Sequence, residues 1–70
     1  MMQRTTIASS NIASIGYDPD TQTLEIEFMN GSIYQYFDVP QHEYDALMGA
    51  GSHGEYFHSS FKGYYRYARL

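Results

Sequence analysis

The chain has 70 residues, of which 43% are hydrophobic and 17% aromatic, and it contains no cysteine. This length allows a single domain, and the missing cysteines exclude disulfide bonds and thiolate metal sites. The net charge of −4 argues against general binding to nucleic acid or anionic lipid, and no apolar run approaches the roughly 18 residues needed to span a bilayer.

The first part of the chain is predicted to contain a lead-in and one strand. Residues 1–8 are predicted as a flexible lead-in, and residues 9–70 as the single domain. Imperfect alternation of apolar residues predicts a strand over residues 12–17, with Ile12 and Ile15 on opposite faces. The Asp-Pro-Asp-Thr-Gln cluster that follows predicts a turn.

A β-hairpin is the clearest element of the sequence. Apolar residues alternate with glutamates over residues 24–28, Asn30-Gly31 follows, and the β-rich residues 32–39 return. The alternation predicts one buried and one solvated face. The residues expected to be buried are Leu24, Ile26 and Phe28, and those expected to be exposed are Glu25 and Glu27.

The register of this hairpin has two solutions. A two-residue loop pairs Phe28 with Ile33 and places Tyr34 and Tyr36 on the face of the glutamates. A three-residue loop shifts the pairing by one residue, which turns both tyrosines inward. The polarity of Gln35 favours the shifted register, whereas the Asn-Gly turn favours the shorter loop, so both remain open.

Two short helices are predicted after the hairpin. Pro40 suits the first position of one helix, which ends in the glycines of residues 49–51. Ser52 and Glu55 form a capping box for the second helix, which Gly63 ends. The contact face of this helix is predicted to contain Tyr56, Phe57, Ser60, Phe61 and Tyr64.

The aromatic residues 64–70 are predicted as a short final strand or a docked extension. The element order is then β-β-β-α-α-(β). We expect an α+β domain with an antiparallel sheet of three to four strands and two short helices on one face.

Several short motifs occur along the chain in a specific order. They are Ser9-Ser10-Asn11-Ile12, Leu24-Glu25-Ile26-Glu27-Phe28, Asn30-Gly31, Tyr34-Gln35-Tyr36, Val39-Pro40, Ser52-His53-Gly54-Glu55-Tyr56-Phe57 and Tyr65. This set, which extends over residues 9–70, resembles the KTSC domain, a short domain found alone in bacterial and phage proteins and at the C-terminus of some lysyl-tRNA synthetases. The resemblance implies Tyr34 and Tyr36 as the central motif, no established activity, and RNA binding as a suggested role. His58 departs from the family, which often has Asn there.

Positive charge is concentrated near the C-terminus. Residues 1–55 hold all eight acidic residues and one arginine, for a net charge of −7, whereas residues 56–70 have a net charge of +3. Cations alternate with aromatic rings in this segment, as in proteins that bind single strands. The candidate nucleic-acid-binding residues are Lys62, Arg66, Arg69, Tyr65 and Tyr67. The structural alternative is a final strand with packed tyrosines and solvated arginines.

Tyr34 and Tyr36 are the second candidate group. On an exposed strand they would form a stacking platform for bases, and otherwise they pack in the core. If they are exposed in the register of the shorter loop, Glu25 and Glu27 are their cross-strand neighbours and would repel a phosphate backbone.

No catalytic, cofactor-binding or metal-binding residues are predicted. The three histidines lack the spacing of metal ligands, and no nucleophile has a base beside it in a recognisable motif. We therefore expect a non-enzymatic, cytoplasmic module without a cofactor or a membrane partner. Its predicted ligand is single-stranded RNA, bound through the basic aromatic C-terminal segment. The alternative is a protein-protein interaction module, or a homodimer, that uses exposed aromatic strand surface.

Overall fold

The chain builds one antiparallel sheet whose five strands lie in sequence order. In this computed structural model, which describes residues 2–70, two helices lie between the fourth and fifth strands. The strands are β1 (Arg4–Thr6), β2 (Ile12–Asp18), β3 (Thr23–Phe28), β4 (Ile33–Tyr36) and β5 (Tyr67–Arg69), and the helices are α1 (Gln41–Met48) and α2 (His53–Ser60). The α+β class is confirmed, but the sheet has five strands rather than three to four.

The additional strand, β1, lies within the segment predicted as a lead-in. Met1 is outside the described residues, but Arg4 pairs with Gly16, and the Ile7 N–H donates to the Ala13 carbonyl at 3.1 Å. A Cβ atom on Gly16 would lie 2.7 Å from the Gln3 carbonyl oxygen, so the absent side chain permits this close approach. Three residues are too few to show strand periodicity, which is why the sequence does not reveal β1.

A β-bulge in β2 explains its imperfect alternation. Ile12 pairs with Phe28 and Ser14 with Glu27, so the register shifts between Ile12 and Ser14. The extra residue brings Ile12 onto the same face as Ile15, and both side chains are fully buried. The predicted placement of these two isoleucines on opposite faces is therefore wrong.

The hairpin of β3 and β4 adopts the shifted register. Tyr34 lies opposite Ile26, and the Phe28 N–H donates to the Ser32 carbonyl at 2.9 Å. The loop therefore has three residues, and its last one, Gly31, has φ +90°, which a glycine adopts without strain. Both tyrosines of the strand consequently turn toward the core.

The core forms where the two helices pack against one face of the sheet. Phe57 of α2 contacts Phe28 and Tyr36, and Tyr44 of α1 stacks on Tyr17 with ring centroids 4.8 Å apart. The buried hydrophobic residues are Ile12, Ile15, Leu24, Ile26, Tyr36, Val39, Leu47, Phe57 and Phe61. This confirms Leu24 and Ile26 as buried, whereas Phe28 is only half-buried.

The helix ends differ from the prediction in detail. Pro40 is the N-cap of α1 rather than its first helical residue, and α1 begins at Gln41. Ser52 caps α2 as predicted, because its hydroxyl accepts from the Glu55 N–H at 3.3 Å. Within residues 2–70 no helix has the length and apolar character needed to cross a membrane.

Tyr64 does not join the contact face of α2. The helix ends at Ser60, and Gly63 then takes φ +87°, which redirects the chain. Tyr64 is 72% exposed as a result, and its predicted contact with the core is wrong.

Candidate functional site

An open groove of about 1290 Å³ lies between helix α2 and the β4–β5 end of the sheet. Its aromatic lining consists of Phe28, Tyr34, Tyr36, Phe57 and Tyr67. Residues 8–11, the β3–β4 turn and the residues around Ser52 form its polar rim. This groove exceeds the roughly 300–1000 Å³ of a typical small-molecule site, so it suits an extended ligand better than a compact one.

The rings in this groove range from buried to exposed. The rings of Tyr34, Tyr36 and Tyr67 form a cluster with centroids 5.8–6.5 Å apart. The Phe57 ring packs edge-on against Tyr36, with 5.4 Å between the two centroids. Tyr36 is 6% exposed, Tyr34 is half-buried, and Tyr67 is 62% exposed. Tyr67 is therefore the ring that a ligand can reach most easily, whereas Tyr36 is part of the core.

Burial moves the titration of Tyr36 further above neutral pH. Desolvation, followed by the neighbouring Tyr34 and Tyr67, raises the pKa of Tyr36 to about 12. This hydroxyl, like that of an ordinary tyrosine, is neutral throughout the physiological range. It adds no negative charge to the groove floor.

Two cations lie at the groove. Lys62 contributes to the lining, and the Arg69 guanidinium carbon lies 5.9 Å from the centroid of the Tyr34 ring, within the range of a cation–π contact. His53 and His58 also line the groove. Among the lining residues only Glu55 is acidic, although the chain has eight acidic residues. Lys62 and Glu55 balance each other within the lining, and Arg69, over the Tyr34 ring, brings the local net charge to +1 on an acidic protein.

The glutamates of β3 lie on the opposite face of the sheet. Glu25 is buried, contrary to the prediction, but it is not unpaired, because it binds Arg4 and accepts from Gln35 Nε2 at 2.9 Å. Ser14 Oγ donates to Glu27 at 3.0 Å on the same face. In this register neither carboxylate shares a face with Tyr34 and Tyr36. The repulsion of a phosphate backbone expected for the shorter loop therefore does not apply to the tyrosine face.

The predicted C-terminal cluster is divided by the fold. Lys62 and Tyr67 line the groove together with Tyr34 and Tyr36, and Arg69 lies over the Tyr34 ring. Arg66 is directed elsewhere: its Nη2 lies 2.8 Å from the Asp38 carboxylate.

Tyr65 is also separated from the groove. Its hydroxyl donates to Glu43 at 3.3 Å, and its ring contacts Phe61 edge-on. Burial and the nearby Glu43 raise the pKa of Tyr65. Arg66 and Tyr65 thus have structural partners away from the groove. Tyr34 and Tyr36, which the sequence analysis predicted as a candidate group of their own, instead share the groove with the C-terminal cations. No local signal reveals this, because it depends on the pairing of β5 with β4.

The described residues provide no evident metal centre. Within residues 2–70 no group of three or more His, Asp or Glu side chains is placed to hold a metal ion. His53 Nε2 instead lies 3.2 Å from the Met48 carbonyl oxygen, a contact that links α2 to the end of α1.

Comparison with known proteins places this architecture in one family. The KTSC domain model matches residues 8–65. An uncharacterized protein of Stutzerimonas stutzeri is 44% identical over 70 residues, which is 99% of both chains. A lysine–tRNA ligase of Nostoc is 48% identical over 61 residues, which cover 87% of this chain but 11% of the ligase.

A solved structure has the same fold along its whole length. The crystal structure of a KTSC domain protein from Yersinia pestis superposes with a TM-score of 0.94, at 42% sequence identity, and covers 100% of this chain and 99% of that protein. The family model, the full-length relative and this fold agree, and the chain belongs to the KTSC domain family.

Proposed function

We propose that the protein is a non-enzymatic module that binds single-stranded RNA in the groove between α2 and β4–β5. The observation that carries this proposal is the exposed Tyr67 ring in a groove that Lys62 also lines, with Arg69 over the Tyr34 ring of the same lining; of the eight acidic residues, Glu55 is the one that the structure of residues 2–70 places in this lining. Single-strand binders combine stacking rings with cations in this way, because every base has a face that stacks and every nucleotide has a phosphate.

The expected affinity follows from this small number of contacts. Stacking of one base on Tyr67 is worth about 1–3 kcal/mol, and two phosphate contacts give a log–log salt slope near −1.4. Binding should therefore be weak at physiological salt and strengthen markedly at low salt. The matching segment in lysine–tRNA ligases adds support, since the name of those relatives describes an enzyme that acts on tRNA.

The test is a titration of a fluorescent single-stranded RNA at several salt concentrations. Tyr67→Ala should weaken binding roughly 5- to 150-fold at about 20 mM salt, because it removes the exposed ring. Tyr64→Ala is the matched control, since Tyr64 is a similarly exposed tyrosine outside the groove lining. We expect this control to bind like the wild type.

Two arginine variants provide a matched test of the phosphate contacts. Arg69→Ala should reduce the magnitude of the salt slope by about 0.7, whereas Arg66→Ala should change it little because Arg66 is already paired with Asp38. A duplex of the same RNA should bind more weakly, because its bases are stacked and cannot reach Tyr67. If the wild type does not bind at about 20 mM salt, or if the two arginine variants behave alike, the groove is not an RNA site.

A further inference from the structure

Strand β5 is an edge of the sheet in residues 2–70, and one of its sides is already occupied by β4. The Arg66 carbonyl accepts from the Phe37 N–H at 2.9 Å, and the Leu70 N–H donates to the Ile33 carbonyl at 2.8 Å. Bonding positions alternate along an antiparallel strand, so Ala68, midway between these residues, also bonds toward β4.

The other side of β5 has no backbone partner among residues 2–70. By the same alternation, the N–H and C=O groups of Tyr67 and Arg69 point away from β4. They form a short row of two donors and two acceptors that an added antiparallel strand would satisfy. Ala68, between them, is exposed and small.

Exposed hydrophobic side chains are more frequent at β5 than at β1. Of the four large hydrophobic residues that are exposed in residues 2–70, Tyr67 belongs to β5, Leu70 follows it directly and Tyr64 precedes it by three residues, with 62%, 67% and 72% exposure. The opposite edge, β1, contains only arginine and threonine, and the arginine is bound to Glu25. Burial of exposed hydrophobic side chains would therefore stabilise an interface at β5 more than one at β1.

We propose that β5 pairs with β5 of a second copy of this chain about a two-fold axis at Ala68. In this register Ala68 faces the partner's Ala68, and Tyr67 faces the partner's Arg69. The outward backbone groups then form about four hydrogen bonds between the copies. The occupant is a second copy because the sequence Tyr-Ala-Arg is complementary to itself when reversed: each ring meets a cation, and no two arginines are directly opposed.

The proposed pairing has structural consequences that do not depend on RNA binding. The two sheets become one continuous sheet with all helices on the same side, and the two grooves lie next to each other. Because β5 has only three residues, association should be weak and concentration-dependent.

Cysteine cross-linking tests this register directly, since the chain has no cysteine of its own. Opposed residues in a non-hydrogen-bonded pair have Cα atoms about 4.5 Å apart, within the range of about 4.4–6.8 Å for a disulfide. Ala68→Cys should therefore form a disulfide-linked dimer under mild oxidation. Leu70→Cys is the matched control: residue 70 is also exposed and directly follows β5, but its two copies would be about 13 Å apart.

We expect the Ala68→Cys dimer to form at least about tenfold faster than the Leu70→Cys dimer, in the absence of nucleic acid. Sedimentation compares the wild type with Ala68→Lys, neither of which contains a cysteine. The lysine should remove concentration-dependent dimerisation, because two like charges would then face each other across the interface. Circular dichroism of this variant checks that the monomer is folded.

Equal cross-linking rates, or a wild type and folded Ala68→Lys that sediment alike, would overturn the proposal. Fastest cross-linking by Thr5→Cys would place the interface on β1 and would overturn it as well. Because these measurements contain no RNA, their failure leaves the groove proposal intact, and failure of RNA binding leaves the dimer intact.

Discussion

Replacement of Phe57 by alanine should remove much of the stability of this domain. Phe57 is 5% exposed, and its ring lies between three others, with centroid distances of 5.5 Å to Phe28, 5.4 Å to Tyr36 and 6.1 Å to Phe61. Truncation of a buried phenylalanine costs about 3–5 kcal/mol. A small domain has roughly 5–15 kcal/mol in total, so Phe57→Ala should lower Tm by at least about 12 °C.

Urea denaturation followed by circular dichroism measures this loss. Tyr64→Ala is the control for an aromatic truncation without burial, and it should change the free energy of unfolding by less than about 0.5 kcal/mol. Phe57→Leu keeps most of the volume but loses the edge-to-face contacts, so it should cost about 1–2 kcal/mol. A Phe57→Ala variant as stable as Tyr64→Ala would show that the helix-to-sheet contact is not formed by this ring.

Two further predictions concern the close approach of β1 and the buried hydroxyl of the groove floor. Gly16→Ala should destabilise the protein by about 1–3 kcal/mol and speed hydrogen exchange of the Ile7 amide, because the added Cβ would overlap the Gln3 carbonyl oxygen. Gly51→Ala is the control: its added Cβ has no atom within 4 Å, so stability and exchange should not change. The pKa of Tyr36 is raised from 10.0 to about 12 by burial and then by its tyrosine neighbours, so its contribution to stability is complete below pH 10 and is lost as the pH rises toward 12. Denaturation at a series of alkaline pH values should show this decline, and Tyr36→Phe should make it shallower; an unchanged slope in that variant would contradict the assignment.

Local patterns were sufficient to predict most of the elements. The alternation over residues 24–28 identifies a half-buried strand, and Asn30-Gly31 identifies the hairpin turn, because both depend on residues close together in the chain. Ser52 as the cap of α2 follows from the same kind of short-range chemistry. The α+β class, and the position of Phe57 in the core, rest on these signals.

The candidate site required information that no local pattern contains. The sequence indicates two separate aromatic groups, the tyrosines of β4 and the basic C-terminal segment. Pairing of β5 with β4, more than thirty residues apart in the chain, brings these groups together. Arg66 is not part of the resulting site, because it pairs with Asp38. This pairing also determines which rings remain accessible.

Long-range contacts likewise decide two of the features on which sequence patterns were wrong. The bulge in β2 places Ile12 in the core, and Arg4 from β1 allows Glu25 to be buried by supplying an opposite charge. Periodicity describes which residues share a face within one segment, and it contains no information about a partner strand that adds a residue or a charge. The sequence by itself therefore determined the elements and their turns, and the tertiary structure decided the register, the first strand and the composition of the groove, because each of these depends on residues that are distant in the chain.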